Sequence, residues 1–370
     1  MIDTIKLTLP FDDNPEWLYS TEKTIKKNAN TNGVTMILNP SKGYKVAGIY
    51  LPKLKFYEHP SREGIQRKLG IEVSLPKLFF GNNFSELSDS DFDAVIQKLS
   101  DVLMSTYSVN IPTNVLANAN VNKVDYSKNT VFTDYTPVST IVAAMKTADI
   151  SKVYDVQQDT YKNGGHIYRI HINSLEVVMY DKVADLKQER ISTKRSHEDS
   201  GYVQMDLLDE LLKKPYLSIA RFEIRINGVK KIRYELEKVG VSGGTTFREL
   251  FSTDISGRLL SRHWQNIFDH IPKAQAIDDT AANLLLALKQ KDPAIKFTEA
   301  SRTVLLQMLR KDVADERYVR NLIDTLFGKH TYRRYKHNGR EPPRPTQLKT
   351  LLKITDSIKA MTPVSVVDYC

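Results

Sequence analysis

Apolar and polar residues alternate along the opening segment TIKLTLPF, which places Ile5, Leu7 and Leu9 on one face of a strand. The same signal recurs in YKVAGIYLPKLKFYEH, LGIEVSLPKL, ANVNKVDYS, HIYRIHI, LEVVMYDKV and IARFEIRIN. The first two-thirds of the chain is therefore predicted to be rich in strands. Helical spacing interrupts it most clearly in SDSDFDAVIQKLSDVLMSTY, where Phe92, Val95, Ile96, Leu99, Val102 and Leu103 fall three and four apart. Ser88 and Asp91 ahead of them have the spacing of a capping box. PVSTIVAAMKTA and VQMDLLDELLKKP are predicted as further helices. The pattern breaks in EKVGVSGGTTFREL, where Gly240, Gly243 and Gly244 read as a linker. Beyond it the spacing is helical in TAANLLLALKQKD, TEASRTVLLQMLRKD and DERYVRNLIDTLFGKH, with Gly328 where a helix-ending glycine belongs. The expectation is an α+β domain over residues 1–243 and a smaller all-α domain over residues 244–370.

Length agrees, since 370 residues exceed what one core ordinarily organises. Composition adds three points. The formal charge of +9 suggests a polyanionic partner. One cysteine, Cys370, rules out an intrachain disulfide framework and a cysteine-based zinc site, and fits a reducing compartment. MIDTIKLTLPFDD lacks the basic and apolar regions of a secretory leader, and no apolar run approaches a membrane span. A cytoplasmic protein without membrane contact is expected.

Period two also sorts the polar residues of the strands. In IARFEIRIN, Ala220, Phe222, Ile224 and Ile226 share one face, while Arg221, Glu223 and Arg225 share the other. Lys123 and Asp125 lie opposite Val124, and Glu72 and Ser74 lie opposite Val73. Glu176, Val178, Tyr180 and Lys182 form one face of LEVVMYDKV. If these polar faces belong to one side of one sheet, Glu72, Asp125, Glu223, Tyr180, Lys182, Arg221 and Arg225 converge.

Such a set has a chemistry. Clustered carboxylates repel unless a cation sits between them, and oxygen ligands select Mg²⁺ or Mn²⁺. The ion would polarise a phosphodiester oxygen. A tyrosine hydroxyl titrates near 10 and needs help to act as a nucleophile. Lys182, or the ion, would favour its phenolate. Arg221 or Arg225 would clamp the phosphate. Taken singly, each residue has a plainer reading: a strand tyrosine is ordinarily packing, and RFEIR is ordinarily a cross-strand ion-pair ladder.

At these residues the chain resembles a known family, the gene-two-type replication initiators of filamentous phages, with relatives on plasmids and prophages. MIDTIKLTLPF is similar to the family's start and IEVSLPKLFFGNNFSEL to its most characteristic block. VNKVDYS, VVMYDKVADL and RFEIRI follow in the family's order, then FRELFS. The resemblance covers most of residues 1–260. It implies a nickase-like, mainly antiparallel sheet with helices on one face. It also implies rolling-circle initiation: one strand of the replicon is nicked at the origin, a 5′-phosphotyrosine forms, a 3′ hydroxyl is left for host polymerase, and the displaced strand is later rejoined. Origin DNA, double- and single-stranded, and host helicase and DNA polymerase are the partners implied. Tyr180 falls at the nucleophile of the family's Tyr-x-Lys strand and Lys182 at its lysine. Glu72, Asp125 and Glu223 match acidic positions, and their role as metal ligands rests on the carboxylate chemistry above.

Related nickases bind metal through a His-hydrophobe-His triplet. His166 and His171 are five apart, which sets them on opposite faces of a strand, so they stand as a fallback. Tyr168, Tyr202, Tyr216 and Tyr234 lie nearby, but none repeats the Tyr-x-Lys context of a second nucleophile. In the C-terminal half, Val319, Leu322, Ile323 and Leu326 mark an apolar helical face. Beyond them Lys329, Arg333, Arg334 and Lys336 interleave with Tyr332 and Tyr335, a pattern that suits phosphate neutralisation and base stacking, or a solvated helix end. REPPRP is expected to be extended or a turn, and KRSHEDSGY reads as a mobile loop near the site. Two other readings stay open: a non-catalytic origin-binding regulator, and a relaxase with histidine-ligated metal.

Overall fold

The structure is a computed structural model. It describes the chain apart from residues 12–22, 29–32, 39–49, 62–63, 155–157, 163–165, 186–212, 215, 272–280, 314–315, 337–346, 366–367 and 370. The expected helix in VQMDLLDELLKKP and the loop KRSHEDSGY fall largely or wholly outside the described residues.

Alternating segments build one 10-stranded sheet. Its strands are β1 Ile2–Pro10, β2 Lys23–Asn28, β3 Gly33–Leu38, β4 Lys53–Ser61, β5 Gly64–Ser74, β6 Asn120–Phe132, β7 Gln158–Lys162, β8 Ile167–Ile172, β9 Leu175–Asp181 and β10 Ser218–Asn227. The order is β2-β3-β4-β5-β1-β6-β10-β9-β8-β7, and every neighbouring pair is antiparallel. Strands β2, β3 and β7 escape the sequence reading because KTIKKN, GVTMIL and QDTYK carry too little apolar–polar alternation. LPKL, expected to prolong β5, instead opens helix α1, Leu75–Phe80, with its proline in the first turn. Proline cannot donate to a strand ladder, whereas a first helical turn needs no N–H there.

The remaining helices are α2 Phe92–Tyr107, α3 Thr113–Ala117, α4 Val138–Lys146, α5 Val229–Lys238, α6 Phe247–Leu250, α7 Thr253–Phe268, α8 Ala281–Lys291, α9 Phe297–Val313, α10 Glu316–Phe327, α11 Thr331–Lys336 and α12 Gln347–Ala360. The Ser88–Asp91 capping box is present ahead of α2. One continuous apolar cluster joins the sheet face of Ile5, Leu7, Val73, Val124, Val177, Phe222 and Ile224 to the buried sides of α2, α4, α5, α7 and α12. Trp264 of α7 packs edge-on against Phe222 and donates to Thr355 of α12 at 2.8 Å. The fold is α+β with a later helical region. Helices α8–α11 carry two small cores of their own, around Leu284, Leu288 and Val304, and around Leu306, Val319, Ile323 and Tyr332. Gly328 ends α10 at φ +97°, a conformation that favours glycine. Among the described residues no helix is long and apolar enough to cross a membrane.

A buried ion cluster ties α5 to α7. Glu235 is met by Lys231 at 2.6 Å, Arg262 at 2.6 Å and His263 at 3.2 Å. Tyr154 Oη lies 2.9 Å from the other ring nitrogen of His263. Burial alone would raise the Glu235 pKa, but His263 and Lys231 outweigh it and hold the group at about 2. A depressed carboxylate contributes stability above its unfolded pKa, and that stability is lost as pH falls through the folded value. Glu235→Gln is therefore expected to cost about 2–3 kcal/mol near neutral pH, with the deficit shrinking between pH 4.5 and pH 2. Denaturant unfolding of both proteins across that range checks it.

Candidate active site

The face of the sheet away from the helices collects the polar strand residues. Strand β10 is central to it. Arg221 sits opposite Tyr180 of β9 and Asn129 of β6, Glu223 opposite Val178 and Ser127, and Arg225 opposite Glu176 and Asp125. Strand β1 then brings Thr4 opposite Asp125. Chain order does not suggest this neighbourhood, because β6 is inserted between β1 and β10.

Glu223 is the hub. Tyr180 Oη donates to its Oε2 at 3.2 Å, and Arg225 Nε donates to its Oε1 at 2.7 Å. Burial pushes the Glu223 carboxyl up, but Arg225 and Arg221 prevail and hold it below the usual range, so it is ionised at neutral pH. Tyr180 is only 8 % exposed. Burial raises its pKa well above 10; Arg221 opposes the shift and Glu223 adds to it. The resting pair is thus a neutral phenol hydrogen-bonded to a carboxylate. The Lys182 ammonium, on the turn that follows β9, lies 5.7 Å from the centre of the Tyr180 ring.

Arg221 is fully enclosed. Its guanidinium donates to Asp3 Oδ1 at 2.7 Å, Ser127 Oγ at 2.7 Å and the Asn83 carbonyl at 2.6 Å. Its Nε, 4.0 Å from Glu223 Oε2, is a buried donor without a hydrogen-bond acceptor among the described residues. A buried donor left unpaired in this way is uncommon in a folded chain. The Asn83 carbonyl belongs to the loop after α1. That loop is anchored by Glu86, which accepts from Lys128 Nζ and from the Asn129 and Val364 backbone amides. Met1 exchanges main-chain hydrogen bonds with Ser127, and two residues further along β6 the Asn129 amide is met by Glu86 instead.

The three carboxylates expected to share an ion do not share a place. Glu72 turns toward β4, where Lys55 binds it at 3.1 Å. By register, Lys6 and Lys123 stand beside it on the way to β10. Glu72 on β5 is three strand spacings from β10 and in register with Asn227, four residues from Glu223, so the two acids are roughly 19 Å apart. Asp125 pairs with Lys123 at 2.9 Å through Oδ2, while its buried Oδ1 has no hydrogen-bond partner among the described residues. Burial and Glu223 raise the Asp125 pKa to about 7 against the pull of Lys123 and Arg225. Both Glu223 oxygens are already engaged. Among the described residues no group of three or more His, Cys, Asp or Glu is disposed to hold a metal ion. Glu72, Asp125 and Glu223 as placed do not fit one shared Mg²⁺ or Mn²⁺. His171 lies 3.4 Å from Glu176, and His166 lies 3.6 Å from Asp181. Those two carboxylates occupy opposite faces of β9, so the histidines do not form a joint site.

A family model describing the N-terminal region of the phage replication-associated gene-two protein matches residues 1–239. The chain belongs to the gene-two replication protein family. No curated protein and no solved structure matches it. Membership makes it a phage-type replication protein, for which DNA is the expected partner. The matched region holds all the strands, hence Tyr180, Lys182, Arg221, Glu223 and Arg225. The block IEVSLPKLFFGNNFSEL that carried the gene-two resemblance has a structural task here: it supplies the Asn83 carbonyl and Glu86 that brace Arg221 and β6. The sequence reading missed Asp3, Ser127 and Glu86. Asp3 follows Ile2 at a register shift in β1, which strict alternation does not anticipate.

The C-terminal candidates are spread differently. Lys329 and Arg333 are exposed. Tyr332 is 3 % exposed and packs with Val319 and Ile323, its amide donating to Asp324 at 2.8 Å. The side chains of Arg334, Tyr335 and Lys336 lie outside the described residues.

Proposed function

We propose that this gene-two-family protein nicks one strand of its replicon origin by transesterification at Tyr180, and rejoins the strand by the reverse step. The carrying observation is the 3.2 Å hydrogen bond from the Tyr180 hydroxyl to an ionised Glu223. A phenol this far above neutral pH needs an acceptor for its proton in contact. Glu223 Oε2 takes the proton as the phenol oxygen bonds to phosphorus. The bond from phosphorus to the 3′ oxygen breaks, and that oxygen leaves as a hydroxyl by taking a proton from solvent water, to which Glu223 returns the one it accepted. The 5′ phosphate remains esterified to Tyr180, which conserves the bond energy for rejoining.

The cations act on charge. Arg221, paired across the strands with Tyr180, and Lys182, 5.7 Å from its ring centre, oppose the negative charge that builds on the phosphoryl oxygens. Arg225 keeps Glu223 ionised and aimed. When a phosphate draws on Arg221, Glu223 loses part of its cationic support and becomes a better base, so substrate binding itself promotes proton transfer. Mg²⁺ or Mn²⁺ remains a proposal apart from this pair, with the unpartnered Asp125 Oδ1 as the oxygen available to an ion.

The test is incubation of the purified protein with supercoiled DNA carrying its origin, with and without added Mg²⁺ or Mn²⁺. Relaxed circles and a protein–DNA adduct that survives denaturation are expected. Origin binding with neither product would favour the non-catalytic regulator.

A further inference from the structure

The polar face of the sheet extends well beyond Tyr180, and its far half is basic. By register, β4 contributes Lys53, Lys55 and Tyr57 to this face, β5 contributes Lys68, Gly70 and Glu72, β1 contributes Lys6, and β6 contributes Lys123. The five lysines face two acids there, Glu72 and Asp125, which Lys55 and Lys123 already bind. Lys6 and Lys68 enter no described ion pair, and Lys68 is exposed.

Tyr57 lies among them with a particular support. A Cβ on Gly70 would come within 3.0 Å of its ring atom Cε2. The ring therefore rests on bare backbone, where a larger residue would lift it. The Lys6 ammonium stands 5.6 Å from the ring centre. A half-buried aromatic ring backed by a strand and ringed by ammonium groups is what an unpaired base and its phosphates need. A paired base has no free face to offer it. From β4 to β9 the strip crosses five strand spacings, about 24 Å, and its other end is the Arg225–Glu223–Tyr180 row.

We propose that strands β4, β5, β1 and β6 bind single-stranded DNA on the approach to Tyr180. Lys6, Lys53, Lys55, Lys68 and Lys123 take phosphates and Tyr57 stacks one base. The assignment of the strip as an approach rests on the nicking reading; the binding does not. It explains why Gly70 interrupts β5.

The experiment is fluorescence anisotropy of the full chain with a labelled oligothymidine and with a labelled duplex of equal length, at several salt concentrations. Tyr57→Leu, which still covers Gly70, is expected to weaken single-strand binding roughly ten-fold and to leave duplex binding unchanged. Tyr57→Phe is expected to bind as wild type. The double variant Lys6→Gln/Lys68→Gln is expected to flatten the slope of log affinity against log salt by about 1.4, or about 0.7 for each phosphate no longer neutralised. Thermal unfolding of each variant separates a binding defect from a folding defect. Wild-type single-strand affinity in Tyr57→Leu, or equal weakening on both probes, would overturn the proposal, as would an unchanged salt slope in the lysine pair. Should the wild type form no adduct while Tyr57→Leu still fails to hold oligothymidine, the strip stands and the nucleophile falls.

Discussion

Tyr180→Phe is expected to yield no covalent protein–DNA adduct and to reduce nicking by roughly 10⁴-fold or more, while origin binding stays within about two-fold of wild type. The substitution removes one oxygen and nothing else. The ring keeps its place between Arg221 and the β8 strand, since Tyr180 pairs with Arg221 on one side and Ile167 on the other. The missing hydrogen bond to Glu223 costs about 1–2 kcal/mol, partly offset because a buried hydroxyl no longer has to be desolvated. Glu223 keeps its Arg225 contact and stays ionised. The fold should therefore survive, and a supercoil-relaxation assay beside a binding assay separates chemistry from recognition. Nicking at the wild-type rate would place the nucleophile elsewhere.

Glu223→Gln carries the second large effect, and it is double. As the proton acceptor, Glu223 is expected to contribute roughly 10²–10⁴-fold to the nicking rate. As the counter-charge for Arg225 and Arg221, its neutralisation is expected to cost about 3–5 kcal/mol, because an ion is left buried without its partner. Loss of activity in this variant alone would not distinguish the two roles. Glu223→Asp does: it keeps the charge but withdraws the carboxylate by about 1.5 Å, one carbon–carbon bond. The aspartate variant is expected to retain most of the stability and to lose most of the rate. A wild-type rate in either variant would remove Glu223 from the chemistry, and equal losses of stability in both would remove its role as counter-charge. Denaturant unfolding and single-turnover nicking measure the two effects separately.

What could be foreseen in the chain, and what could not, divides along physical lines. Strands β1, β5, β6, β8, β9 and β10 announce themselves because one face is buried and the other polar, which imposes period two on the residues. The sharing of a face by Arg221, Glu223 and Arg225 follows from the same rule. Which strands are neighbours does not, because β5, β1, β6, β10 and β9 adjoin in an order set by long connections. Hence Glu72 and Glu223 carry equal weight in the sequence, although Glu72 is claimed by Lys55 on the far side of β5. The same limit hid Asp3, more than two hundred residues from the arginine it binds. Tyr332 illustrates a third limit. It stands in a basic run, yet α11 turns back after Gly328 and packs this residue against Val319 and Ile323, while Leu326 of the apparent apolar face is 64 % exposed. A helical repeat shows which residues share a side, but not which side the next helix covers.

The most direct measurement is to identify the residue that carries the DNA. The adduct formed on origin DNA is digested with nuclease and protease, and the nucleotide-bearing peptide is sequenced by mass spectrometry. The account predicts a phosphodiester on Tyr180 alone, joined to the 5′ end of the cleaved strand. A nucleotide on Tyr168, Tyr202, Tyr216 or Tyr234, or on a residue other than tyrosine, would contradict it.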